Sequence, residues 1–161
     1  MSNNDNASRI PSRLLNVSCS DCSLNPICLP VAVKEQELDE LDDIIKRSKP
    51  LKKGEHLFRA SDGFESIYAV RSGTIKSYTV SEDGEEQVTG FYLPGEILGI
   101  DGISNNIHSN SAKALETAAV CEIPFTQLEA LSTEIPSLQH HFFKLMSKEI
   151  QSDQQLLMLL S

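Results

Sequence analysis

The spacing of apolar residues along this chain changes several times, and each change marks a different kind of element. Residues 1–17 show no apolar period, are rich in Ser and Asn, and predict a disordered leader. In residues 18–32 single apolar positions (Leu24, Ile27, Leu29, Val31) are interleaved with Pro26 and Pro30, which bar helix. A loop pinned to a domain surface by those side chains is expected. Leu38, Leu41 and Ile45, with Ile44, then recur at helical spacing within Glu37–Lys46. Acids lead that segment and Lys46-Arg47 close it, as the helix dipole favours, and Pro50 ends it; its acidic face reads as solvated surface.

From Leu51 to Ile123 the period shortens to two. Ser66–Arg71, Thr74–Val80, Gln87–Leu93 and Val120–Ile123 predict strands, broken at Ser72-Gly73, Asp83-Gly84 and Pro94-Gly95. Glu82-Asp83-Gly84-Glu85, between Tyr78-Thr79-Val80 and Val88-Thr89-Gly90, predicts a hairpin. So many short strands predict a small jelly-roll or barrel, in a chain that is mainly β with α. After Pro124 the pattern turns helical: a short turn around Gln127–Leu131, then Pro136 opening a long helix to about Leu160. On that helix Phe143, Met146, Ile150, Asp153, Leu157 and Leu160 fall at spacings of three and four, a coiled-coil seam with one carboxylate in it. Leu138, Phe142, Leu145, Leu156 and Leu159 form a second stripe. One stripe can cover the chain's own domain and the other a partner, which predicts a homodimer; two stripes on one monomeric core helix is the alternative. The expected organisation is a leader (1–17), a cysteine-rich loop (18–32), a helix plus β-roll domain (33–135) and a dimerisation helix (136–161).

Charge and composition narrow the function. A chain of 161 residues can bury one sizeable core, and its net charge of -9 opposes any grip on a phosphate backbone, so no direct DNA binding is expected from it. No apolar run approaches membrane-spanning length and no secretory h-region accompanies Arg9 and Arg13, so a soluble, cytoplasmic protein is expected. Nucleophile-elbow, H-E-x-x-H and phosphate-loop patterns are missing, so an enzyme is not expected. His140 and His141 are adjacent on a helix, point apart, and suit solvent or interface roles; His56 and His108 have no partner discernible in sequence.

The cysteines carry the most specific chemistry. Three of the four lie in Cys19-Ser20-Asp21-Cys22-Ser23-Leu24-Asn25-Pro26-Ile27-Cys28, and the fourth, Cys121, can join them only through folding. In a reducing compartment such clustering points to metal rather than to disulfides. Zinc and iron both stay open on residue grounds. Zinc sites often use two C-x2-C pairs and one is present, so the spacing leans to iron.

The spacing C-x2-C-x5-C, a lone cysteine in Cys121-Glu122-Ile123-Pro124-Phe125, and the stretches Arg71-Ser72-Gly73-Thr74-Ile75-Lys76-Ser77-Tyr78 and Ala114-Leu115-Glu116-Thr117 occur here in order. Together they resemble the CRP/FNR family of transcription regulators, and among its members the oxygen sensors, from about Ser18 to Ser161. The resemblance implies a cyclic-nucleotide-binding-type β-jelly-roll followed by a long dimerisation helix. It also implies a 4Fe–4S cluster held by Cys19, Cys22, Cys28 and Cys121, which oxygen converts or strips to favour the monomer. Asp153, facing its symmetry mate in a parallel dimer, would hold that seam near balance. Arg71, Ser72 and Thr117 lie on segments resembling the family's polymerase-contacting loops, with plain surface an equal reading. Family members continue past the dimer helix into a DNA-reading helix-turn-helix domain, whereas this chain stops at Leu159-Leu160-Ser161; a full-length relative is a conceivable partner.

The same family includes cyclic-AMP binders, which carry Gly-Glu in a turn and an Arg before Ser/Thr-Ala. Pro94-Gly95-Glu96-Ile97-Leu98-Gly99 keeps the turn, but Ser109-Asn110-Ser111-Ala112 has no arginine, and strand alternation should turn Lys113 away from the face of Ala112. A phosphate buried without a cationic partner is heavily penalised, so no cyclic nucleotide is expected. Ser61 replaces a glycine frequent before Asp62, and a shifted loop is expected there. A zinc- or small-ligand-binding dimerisation module of the same fold is the second function class.

Overall fold

The computed structural model describes residues 33–160; the predicted leader and the cysteine loop lie outside them. A single 3-10 turn, Glu35–Glu37, leads into helix α1, Leu38–Ile44. Glu37 caps this entry by accepting the backbone N–H of Lys34 at 3.1 Å. The helix predicted over Glu37–Lys46 is therefore shorter: Ile45 is extended (ψ 128°), and Lys46–Arg47 form strand β1. Adjacent residues of a helix point about 100° apart. Extending the backbone at Ile45 lets both Ile44 and Ile45 pack against the core. The ion pair of Arg47 Nη2 with Asp42 Oδ1, at 2.6 Å, ties the new strand back to the helix.

The remaining strands are β2 (His56–Phe58), β3 (Ser66–Ser72), β4 (Ile75–Val80), β5 (Glu86–Tyr92), β6 (Ile97–Leu98), β7 (Ser111–Ala114) and β8 (Ala119–Pro124). They form two four-stranded sheets, ordered β1-β8-β3-β6 and β2-β7-β4-β5, in which every pairing is antiparallel. This is the expected jelly-roll. The β4–β5 hairpin turns through Gly84, as its Asp-Gly predicts. Gly73 has φ of 76°, and a Cβ placed there would fall 2.4 Å from the carbonyl oxygen of Thr117. The β3–β4 turn thus lies against the β7–β8 connection, where only glycine combines that backbone with that approach. Ser61, with φ of 77°, takes the left-handed conformation that glycine favours despite its side chain. Its N–H donates to the carbonyl of His108 at 2.8 Å.

Alternation along the strands divides the core in two. Val70, Ile75, Leu98, Ala112, Ala114 and Val120 fill the space between the sheets together with Phe58 and Tyr92. Ile67, Ala69, Cys121 and Ile123 face the other way, onto helices. Those helices are α1, α2 (Phe125–Glu134) and α3 (Pro136–Leu160). The segment predicted as a short turn around Gln127–Leu131 is thus a full helix, α2. It buries Leu128 and Leu131, and two apolar side chains at i, i+3 suffice to fix so short an element once a sheet lies beneath it. Ile135 is non-helical and separates α2 from α3, which begins at Pro136.

Candidate functional site

Cys121 lies on the inner, helix-facing side of β8. It stands opposite Arg47 of β1 and Ala69 of β3 and is only 9% exposed. Leu41, Ile44, Ile45, Leu138 and Phe142 belong to the same apolar cluster, and so does Val33, the first described residue after the cysteine loop. The thiol thus lies in the same apolar cluster on which Val33 packs. Its sulfur suits the soft-ligand chemistry of iron–sulfur or zinc sites, and the apolar surroundings would shield a bound centre from solvent. Cys19, Cys22 and Cys28 lie outside the described residues. Among the described residues no group of three or more His, Cys, Asp or Glu is arranged to hold a metal ion.

The two stripes of α3 separate in space. Leu138 and Phe142 are buried against the helical core, and Leu145 packs beside them, whereas Leu156 is half-buried and Leu159 exposed. Of the seam residues, Phe143, Ile150, Leu157 and Leu160 are each more than half exposed. Met146 instead turns inward, packing on the helical core and lining a cavity. Asp153 borders the same cavity.

That cavity, about 270 Å³, opens between the second sheet and α3. Phe58, Leu98, Ile100, Met146 and Ile150 supply its apolar wall; Ser77, Thr89, Tyr92 and Asn110 supply hydroxyls and an amide; Asp101, Glu149 and Asp153 supply carboxylates. No Lys, Arg or His lines it among the described residues. Its polar groups largely satisfy one another: Ser77 and Thr89 hydroxyls are 2.8 Å apart, Thr89 donates to Asn110 Oδ1 at 2.8 Å, and Asn110 Nδ2 donates to Asp101 Oδ2 at 3.3 Å. The Tyr92 hydroxyl donates to Glu149 Oε1 across the gap between β-roll and helix.

Burial pushes the Glu149 carboxyl above its ordinary range, and the charges of Asp153, Glu96 and Asp101 push the same way against the opposing Tyr92 hydrogen bond. Burial also raises Asp153. Burial would likewise raise Asp101, but hydrogen bonds from the Asn110 backbone and His108 outweigh it and hold that carboxyl low.

The Gly95-Glu96 turn is the one that the sequence shares with cyclic-nucleotide binders. The turn lies outside the cavity wall, with Glu96 Oε1 accepting the Leu93 N–H at 3.2 Å. The wall comes from Gly99-Ile100-Asp101, and Gly99 (φ 92°) is the turn that lets Asp101 reach inward. Asp101 went unnoticed in the sequence, although an acid two residues after such a glycine is a usable signal. Lys113 points away from Ala112, as alternation predicts: Ala112 is buried, while Lys113 Nζ lies 3.3 Å from Glu86 and 5.0 Å over the Tyr78 ring.

The two histidines without discernible partners both have them. His56 Nε2 lies 2.5 Å from the Tyr78 hydroxyl. His108 is buried, 3.1 Å from Asp101 and stacked at 3.8 Å on Phe58. His140 is exposed and His141 half-buried. Arg71, Ser72 and Thr117 come together at the Gly73 turn, with Ser72 and Thr117 exposed.

Two antiparallel sheets with a buried pocket and a trailing helix define a cyclic-nucleotide-binding-type sensor fold. A family model described as the cyclic nucleotide-binding domain matches residues 48–134. The chain belongs to that family and, within it, to the CRP/FNR transcription regulators. It is 52% identical over 143 residues to the transcriptional activator protein Anr of Pseudomonas protegens, covering 89% of this chain and 59% of that protein. It is 54% identical to the anaerobic regulatory protein of Haemophilus influenzae, covering 90% and 56%. It is 50% identical to the fumarate and nitrate reduction regulatory protein of Escherichia coli, covering 95% and 61%. The chain therefore spans less than two thirds of the length of these relatives, all named as regulators rather than enzymes. Among solved structures, the catabolite activator protein of Thermus thermophilus shares its fold with a TM-score of 0.70 at 22% identity, over 82% of this chain and 62% of that one. The sensor domain of the regulator DNR from Pseudomonas aeruginosa does so with a TM-score of 0.70 at 16% identity, over 83% and 88%. No helix among the described residues is long and apolar enough to cross a membrane.

Proposed function

We propose that this chain is the oxygen-responsive sensor part of a cytoplasmic transcription regulator, in which Cys19, Cys22, Cys28 and Cys121 bind a 4Fe–4S cluster that controls homodimerisation through α3. When bound, the cluster supplies an inorganic core whose loss on exposure to oxygen is the signal. The observation that carries the reading is the position of Cys121: buried on β8, in the apolar cluster that also receives Val33. Val33 is only five positions after Cys28, a connection that extends at most about 18 Å. The anaerobic regulator among the relatives supports the same reading.

In this proposal Cys121 anchors the cysteine loop to the sheet and to Leu138 and Phe142, at the base of the helix whose outer stripe pairs. Phe143, Ile150, Leu157 and Leu160 meet their counterparts, and the Asp153 pair opposes contact until loop docking offsets it. The β-roll and α1 (33–135) form the sensor domain and residues 136–161 the dimer helix. Arg71, Ser72 and Thr117 are offered as an RNA polymerase contact, and reading DNA is left to a domain beyond this sensor part. Protein purified without oxygen should be brown, carry iron and sulfide, and bleach in air, and Cys121→Ser should lose the visible absorption. Colourless protein with stoichiometric zinc would favour the zinc module, and iron and sulfide retained in Cys121→Ser would remove Cys121 from the ligand set.

A further inference from the structure

Glu149 is the point at which the long helix is fastened to the β-roll. Its carboxylate accepts the hydroxyl of Tyr92 on β5. Three further acids face it: Asp153 one turn along α3, Asp101 from the turn after β6, and Glu96 from the turn after β5. Lys148, its neighbour on the helix, lines a second recess together with Glu149 and Glu96. The cavity beneath Glu149 has no cationic lining among the described residues. Docking α3 therefore gathers Glu149, Asp153 and Asp101 around one partly dry space, with Glu96 outside its wall and a neutral phenol as the direct donor to Glu149. The next residue, Ile150, both lines that cavity and stands 58% exposed. Any movement at Glu149 is thus passed to the outward stripe of the helix.

We propose that Glu149 and Tyr92 form a proton-sensitive latch that sets how closely, and at what rotation, α3 lies on the β-roll. With Glu149 ionised, Tyr92 holds it while Asp153, Asp101 and Glu96 repel it. When a proton from solvent binds the carboxylate, the repulsion disappears and the carboxyl still shares a hydrogen bond with the phenol. The docked helix binds that proton more tightly than a free helix does. Docking therefore strengthens as pH falls from the docked pKa to the ordinary carboxylate value, by up to about tenfold per pH unit for one proton, and that gain is lost as pH rises through the docked pKa. The latch involves none of the cysteines, goes beyond the oxygen-sensing reading, and stands if the metal proves to be zinc or none.

The test is a side-chain carboxyl NMR titration of Glu149 in the full chain, with amide exchange followed along residues 145–157 and assembly state checked by sedimentation at each pH. Tyr92→Phe removes a stabilising donor and should move the Glu149 midpoint up; Asp153→Asn removes a repelling charge and should move it down. Protection of 145–157 should rise as pH falls in the parent and become nearly flat in Glu149→Gln. A midpoint indifferent to both neighbours, or a Glu149→Gln profile with the parent's pH dependence, would overturn the latch. Asp153 lies at the exposed rim, so its variant keeps the test decisive even if the other two perturb folding.

Discussion

A single carboxylate organises the turn that shapes the cavity. Asp101 Oδ2 accepts the backbone N–H groups of Ser109 and Asn110, both at 2.9 Å, and their side chains, while Oδ1 faces His108. His108 in turn stacks between Phe58 and the edge of Phe64. Replacing Asp101 by Asn keeps the shape but points an amide N–H₂ at groups that are themselves donors. A loss of roughly 1–3 kcal/mol is expected at neutral pH. The sign with pH follows from the lowered Asp101 carboxyl. Its stabilisation is complete above the ordinary carboxylate value and is lost as pH falls through the depressed one. Urea unfolding of parent and Asp101→Asn should therefore differ most at neutral pH and converge in acid; a gap that is constant with pH would deny Asp101 this role. None of the network was legible in sequence, because His108 lies seven positions and a turn beyond Asp101, and no periodicity reports a contact made by a turn.

The elements divide by the same logic into those with a period and those without. The hairpin β4–β5, strands β3 and β8 and the long helix were legible because each runs six residues or more between clear turn or proline signals. Strands β1, β2 and β6 are two or three residues long, too short for a period, and are strands only because a neighbour pairs with them. On α3 the apolar period marks two stripes, of which the one through Phe143, Ile150 and Leu157 reads as the seam. Burial separates them: Leu138 is fully buried and Phe142 nearly so, while Ile150 and Leu157 remain 58% and 66% exposed. Leu138→Ala should therefore unfold the domain by roughly 2–5 kcal/mol. Ile150→Ala and Leu157→Ala should leave the unfolding midpoint nearly unchanged and weaken the dimer in sedimentation. Asp153→Ala should strengthen it, since about 1.4 kcal/mol of relieved repulsion is tenfold in the dimer constant. Unchanged sedimentation across these variants would mean that the outer stripe is not the seam. Met146 is the residue the period misassigned: it has seam spacing, but its side chain fills the space under the helix. An unbranched side chain can turn either way from that position.

Across the whole molecule, charge decides what the pocket can hold. The chain carries a net charge of -9, and three of its carboxylates, Asp101, Glu149 and Asp153, line the cavity that α3 closes over the β-roll. Its basic side chains are engaged elsewhere: Lys76 and Lys113 pair with Glu86 on the outer face of the second sheet, at 2.6 and 3.3 Å. A fold shared with cyclic-nucleotide binders thus presents Asn110, Asp101, Glu149 and Asp153 where a cyclic phosphate would need a cation. Desolvating a phosphate beside those acids opposes binding twice, through lost hydration and through like-charge repulsion. Titration calorimetry with cyclic AMP should accordingly detect no saturable binding up to about 1 mM, an affinity worth only ~4 kcal/mol. Asn110→Arg alone should gain little, because the new guanidinium would pair first with Asp101 or Glu149. Adding Glu149→Gln and Asp153→Asn to it should produce measurable, salt-sensitive anion binding. Micromolar binding of cyclic AMP by the parent chain would show that the acidic lining does not govern the cavity, and the regulator would then answer to a nucleotide.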